Sequence, residues 1–131
     1  MLFRSVQVIE MRKKVLGQEH PDILTSMADL ALTYRNQGRW KEAEDLGAQV
    51  IEMRKKVLGQ EHPDTLTSMN NLAFTWKIQG RDNEALKLME ECVVLQSRTI
   101  GTNHPYTLSS RTALLGWQKE ELEIGALVDR E

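Results

Sequence analysis

Apolar residues recur along this chain with a helical period, and the pattern itself returns every 42 residues. Ile23, Met27, Leu30 and Tyr34 fall at i, i+4, i+7 and i+11. Leu24 and Ala31 widen the stripe, which predicts one helix with a single apolar face. Ala43, Leu46, Val50, Met53 and Val57 then recur at spacings of three and four and predict a second helix. Between the two lies Gln37-Gly38-Arg39, with Gly38 suited to the left-handed residue that ends a helix. Gly59 follows the second stripe, and His62-Pro63-Asp64 opens the next helix. Proline fits the first helical turn because its missing N–H has no partner there. Asp64 favours the positive helix end. One period is therefore helix, short turn, helix, loop.

Residues 8–22 and 50–64 carry the same fifteen residues, VIEMRKKVLGQEHPD. Over the full period, 8–49 against 50–91, 28 of 42 positions are identical. A looser third copy places His104-Pro105 another 42 residues on, with Leu95, Ile100 and Gly101 echoing Met53, Leu58 and Gly59. All three histidines and all three prolines fall in this one loop. No single helix pair can bury its stripes alone, whereas stacked neighbours can. The expected fold is all-α, a solenoid of antiparallel helix hairpins.

Leu30, Ala31, Tyr34, Gly38 and Ala43, repeated as Leu72, Ala73, Trp76, Gly80 and Ala85, resemble the signature of the tetratricopeptide repeat (TPR), which implies that the all-α solenoid is a right-handed superhelix. The small Ala43 and Ala85 let the helices of a hairpin approach closely. The 42-residue period and the loop LGQEHPDTLTSMNNLA look like the kinesin-light-chain subclass. The stretch SMNNLAFTW, followed by QGR and EAL, is similar to the TPR arrays that end many fungal NLR-like (NB-ARC, STAND) proteins. The expected organisation is a single solenoid over 1–131: a second helix in 1–16, full repeats in 21–58 and 63–100, a first helix in 105–120 and a tail in 121–131. In the third copy Gln118 and Leu122 replace the Tyr34/Trp76 and Gly38/Gly80 positions, so its hairpin is read as degenerate. Met1 aligns with Ala43, in mid-repeat, and the chain is expected to be the C-terminal piece of a longer array. The stripe of Val6, Ile9 and Val15 then lacks its hairpin mate, which predicts self-association through repeat ends.

Composition narrows the function. Net charge is −2, without the basic excess that nucleic acid or an anionic membrane surface requires. No apolar run reaches the roughly 20 residues that span a bilayer. A single cysteine, Cys92, excludes an internal disulfide framework and points to a cytoplasmic setting. Cys92 aligns with Val8 and Val50 and is expected in the core. His-Pro-Asp matches the tripeptide of J-domain cochaperones, but its recurrence every period marks a structural loop. Equivalent histidines two helices apart are too distant to share a zinc ion. No phosphate loop or nucleophile arrangement occurs. No catalytic, cofactor or metal residue is assigned, and the chain is expected not to be an enzyme. Glu52, Arg54, Lys55 and Lys56 are expected on a solvated outer face.

The candidate site lies on the first helices, opposite Leu30 on the helical wheel. There the copies differ most: Ala28/Asn70, Asp29/Asn71, Leu32/Phe74, Arg35/Lys77 and Asn36/Ile78 change, while Leu30, Ala31 and Thr33 recur. The resemblance to TPR proteins implies that this side lines a concave groove. The expected partner-binding residues are Asp29, Leu32, Arg35, Asn36, Asn70, Asn71, Phe74, Lys77, Ile78, Thr112 and Lys119. Arg35, Lys77 and Lys119 should form a basic row for an acidic protein or peptide, with Phe74 receiving an apolar anchor. The resemblance implies a protein-interaction scaffold, the ligand-sensing end of a fungal NLR-like receptor or a kinesin-light-chain-like cargo adaptor. A self-assembly module is the rival reading.

Overall fold

A computed structural model describes residues 2–16 and 20–129, with side chains for 5–13 and 20–128. Six helices follow one another: α1 (Leu2–Leu16), α2 (Pro21–Asn36), α3 (Trp40–Val57), α4 (Pro63–Ile78), α5 (Asp82–Thr99) and α6 (Pro105–Asp129). No strand occurs among the described residues. Each helix packs on the next, and α2 also meets α4. Met1 and residues 130–131 lie outside the described residues, and Val15 outside the described side chains.

Every first helix starts the same way. Nδ1 of His20, His62 and His104 accepts the backbone N–H two residues on, each at 3.1 Å. The imidazole thus takes the part of an Asn or Asp cap, satisfying a donor that the helix itself cannot. Proline follows without losing a bond. The repeated histidine is a cap, which the pattern of prolines and acids alone did not disclose.

The hairpin turn closes on glycine. Gly38 and Gly80 have φ of 79° and 82°. Behind Gly38, Arg39 N–H donates to Tyr34 C=O at 2.8 Å and Gly38 N–H to Arg35 C=O at 3.0 Å, a paired closure repeated at Gly80. The next residue is an arginine in both copies. Arg39 lies 4.5 Å over the Tyr34 ring and pairs with Glu42. Arg81 lies 4.9 Å over Trp76 and pairs with Glu84 and, across the repeat boundary, with Glu44. Burial works to raise the Glu44 pKa, but hydrogen bonds from Arg81 and Gln79 outweigh it and hold the carboxyl below its ordinary range. At the equivalent position in α6 stands Leu122, and the helix runs on unbroken to Asp129 with residues 121–128 exposed.

Two apolar clusters form the core. One joins Ile9 of α1, Ile23, Leu24, Met27 and Leu30 of α2, and Val50 of α3. The other joins Ile51 of α3 to Leu66, Met69 and Leu72 of α4, Ala85, Met89, Cys92 and Leu95 of α5, and Leu114 and Trp117 of α6. Ala43 and Ala85 are buried at the hairpin crossings. Val57, at the end of its stripe, is 37% exposed.

Arg54 corrects the expectation of a wholly solvated outer face: only 7% of it is exposed. Its Nη1 donates to Ser68 Oγ at 2.6 Å and to the Asp64 carbonyl at 3.1 Å, tying the end of α3 to the start of α4. Burial lowers its pKa, partly offset by Asp64 and Asp29. Glu52 and Lys56 remain exposed.

Three outcomes follow from this framework. Gly38→Val should lower the unfolding free energy by about 1–3 kcal/mol through backbone strain. A Cβ at Gly38 meets nothing within 4 Å, so in urea unfolding Gly38→Ala should account for most of that loss. His62→Ala should cost about 1 kcal/mol, and His62→Asn, which restores an acceptor, should recover most of it. Cys92 is fully buried, and burial pushes its thiol up to about 12. At pH 8 it should resist alkylation in the folded protein and react stoichiometrically in denaturant, as mass spectrometry would show.

Candidate functional site

All eleven candidate residues lie on the first helices of the hairpins, α2, α4 and α6. On α2, Asp29 and Asn36 are exposed, and Leu32 and Arg35 are partly buried. Arg35 makes no ion pair or side-chain hydrogen bond among the described residues. On α4, Asn70, Asn71, Phe74 and Lys77 are partly buried and Ile78 is 49% exposed. On α6, Thr112 and Lys119 are exposed. Thr112 returns its hydroxyl to the Leu108 carbonyl at 2.8 Å.

The structure joins some of these residues to the fold more tightly than the wheel predicts. Phe74 meets Trp117 edge to face, with ring centroids 5.2 Å apart. It is packed against the second core cluster. Lys77 Nζ donates to Glu120 at 2.8 Å and Asp82 at 3.3 Å and lies 5.9 Å over the Trp117 ring. The Glu120 bond, against a lowering by burial, and then Asp82 raise the Lys77 pKa. The middle member of the basic row is therefore neutralised within the chain. Arg35 and Lys119, with no partner among the described residues, keep their charge available.

Leu32 and Asn71 come together across the first repeat boundary. With Ala28, Ala31, Ala43, Gly47, Val50, Ser68, Leu72 and Thr75 they line a slot of ≈ 20 Å³. That is room for about one water or a methyl group. At the next boundary the same positions carry Phe74, Met89 and Trp117 in place of Leu32, Gly47 and Thr75, and bulk fills the space. Asn70 is occupied differently, accepting the Ser110 hydroxyl at 2.8 Å.

The site offers shape and hydrogen bonding: its groups are amides, hydroxyls, single cations and the exposed Asp29 carboxylate. Among the described residues no group of three or more His, Cys, Asp or Glu could hold a metal, and no helix is long and apolar enough to cross a membrane. Sequence reasoning missed Trp117 as a partner of this face and Glu120 as the partner of Lys77. Trp117 matches Thr75, and Glu120 matches the apolar Ile78, so the repeat pattern gave no sign of either contact.

A fold of this kind is found in solved structures. The chain is 32% identical to a Podosopora anserina protein named as a putative kinesin light chain with nearly identical TPR-like repeats, at a TM-score of 0.84. That match covers 98% of this chain and 61% of the other. A single-substitution variant of that protein matches at 32% identity and a TM-score of 0.77, covering 98% of this chain and 62% of its own. The chain thus spans about three fifths of the length of these structures. No curated protein is significantly similar to it. The tetratricopeptide repeat profile matches residues 6–22, 23–64 and 65–106, most of the chain and in its own 42-residue period. Hairpins closed on Gly38 and Gly80, small Ala43 and Ala85 at their crossings and this match over three successive segments lead to one assignment: the chain belongs to the tetratricopeptide repeat family.

Proposed function

We propose that the inner face of α2, α4 and α6 binds an extended peptide or protein segment, and that the chain serves as an interaction scaffold in the cytoplasm. TPR repeats generally mediate protein–protein interaction. The observation that carries the reading here is the contrast between frame and face. Between the two full repeats the caps, the turns and most core residues recur, while the candidate residues change. The slot between Leu32 and Asn71 opens among those changing residues.

The partner this face fits is acidic with a small apolar anchor. Arg35 supplies an unpaired cation one helical turn from Leu32, and Lys119 supplies another at the far end. A methyl-bearing side chain suits the narrow slot, and Asn71 at its rim can hold a peptide backbone. Phe74, turned onto Trp117, acts as a wall of the groove. In a larger protein such a groove suits a cargo adaptor, the reading nearest to the name of the Podosopora anserina protein. The ligand-sensing end of an NLR-like receptor would use the same groove. Self-assembly is the rival reading, and it has a specific support: Leu108, Leu115 and Leu122 form an exposed stripe on α6, at 44%, 57% and 76% exposure.

Titration of a library of acidic peptides, each with one aliphatic residue, tests the proposal. Arg35→Glu should weaken binding by about fivefold at low salt and less at high salt, as a partly exposed charge contact behaves. Equal affinity of parent and variant would remove Arg35 from the site. Phe74→Ala, in contrast, should lower stability by about 3 kcal/mol because it strips an edge-to-face pair from the core. Its melting curve should shift whether or not peptide is present. Sedimentation showing concentration-dependent association that Leu115→Lys abolishes, with no peptide bound, would favour self-assembly instead.

A further inference from the structure

Three junctions join a second helix to the following first helix, and their positions correspond at intervals of 42 residues. At the first, Arg12 Nη1 donates to Ser26 Oγ at 2.5 Å and reaches the Asp22 carbonyl at 3.4 Å. At the second, Arg54 Nη1 makes the same two bonds to Ser68 and Asp64 at 2.6 and 3.1 Å. At the third, the arginine is replaced by Gln96 and the aspartate by Tyr106, while the serine persists as Ser110.

The substitution leaves space and unpaired acceptors. Gln96 is only 3% exposed, and its Oε1 has no hydrogen-bond partner. Ser110, no longer met by a guanidinium, donates to Asn70 Oδ1. Thr107 Oγ1 in the same junction is also buried without a partner, whereas its counterpart Thr65 donates to the Gly59 carbonyl at 2.9 Å. A pocket of ≈ 280 Å³ results, lined by Thr67, Asn70, Gln96, Tyr106, Ser109 and Ser110. Thr67, Asn70 and Ser109 belong to the inner face, so the pocket opens towards the groove. A buried carbonyl without a donor is a standing demand for one.

We propose that this pocket receives the guanidinium group of an arginine from a bound partner, restoring between chains the clasp that Arg12 and Arg54 make within the chain. The entry route rests on the inner-face reading given above. Gln96 Oε1 and the Ser110 hydroxyl supply acceptors, and the Tyr106 carbonyl corresponds to the one that Arg54 uses at Asp64. A planar group with several donors and weak hydration matches such a set better than an ammonium. No carboxylate lines the pocket, and Tyr106, 62% exposed and with its ring against His104, stands where Asp64 does at the second junction. The preferred partner then carries an arginine near the third junction as well as acidic residues near Arg35.

The probe is acetyl-arginine methylamide, titrated into isotope-labelled protein by NMR beside its neutral isostere, acetyl-citrulline methylamide. Arginine should shift the side-chain amides of Gln96 and Asn70 and the backbone amide of Ser110, with at least fivefold weaker binding of citrulline. Gln96→Arg should close the clasp within the chain, abolish those shifts and raise the melting temperature by about 4 °C. Absence of shifts at these residues in the parent would overturn the proposal. So would equal binding of citrulline, which would mark a site for neutral donors, or a Gln96→Arg variant that melts no higher than the parent. The probe is a single residue, so its result stands apart from the acidic-peptide titration, and the two readings fail separately.

Discussion

Val50 and Ile51 are adjacent in sequence yet belong to different cores, one shared with α1 and α2, the other with α4, α5 and α6. The whole architecture depends on this division. A helix turns about 100° per residue, so neighbouring residues can serve two faces, and α3 is apolar over both. Its own hairpin covers one and the next repeat covers the other. Stability is therefore held between neighbours rather than within a unit, the condition for a linear array. The Arg54 clasp adds direction to this burial, fixing the angle at which α4 leaves the loop because two polar bonds must be met at once.

Much of this was legible in the sequence because it repeats. Ile23, Met27 and Leu30 are buried as their spacing required, Gly38 and Gly80 take the left-handed conformation, and Cys92 sits where its alignment with Val50 put it. The failures share one physical origin, which is that residue type does not reveal a partner from another element. Arg54 reads as solvated in a basic run, yet its long stem crosses a buried seam to reach Ser68. The histidines read as loop residues, although their Nδ1 atoms close the helix starts.

The inner face was less legible. The helical wheel located its residues but could not tell which were free. Phe74 and Lys77 are held by Trp117 and Glu120 of the degenerate third copy, where the repeat no longer constrains the sequence. The two boundaries consequently differ in character. The first keeps a narrow apolar slot beside an uncommitted arginine. The second is bulky and closed at its centre, but polar and hollow at its Gln96 end. A ligand crossing both would meet two chemically distinct subsites on one curved surface.

The fifteen residues that recur without change span the end of a second helix, the loop, the histidine cap and the start of the next first helix. What is duplicated verbatim is therefore the joint between repeats and not the hairpin. An exchange of chain between these two stretches, at any point along them, inserts or removes 42 residues while the joint so formed keeps its arginine, its cap and its proline. The segment gained or lost carries one complete candidate face of a first helix with it. The chain is thereby arranged so that its hairpins can be counted, shuffled or multiplied as whole units, with the mechanical coupling between them left untouched.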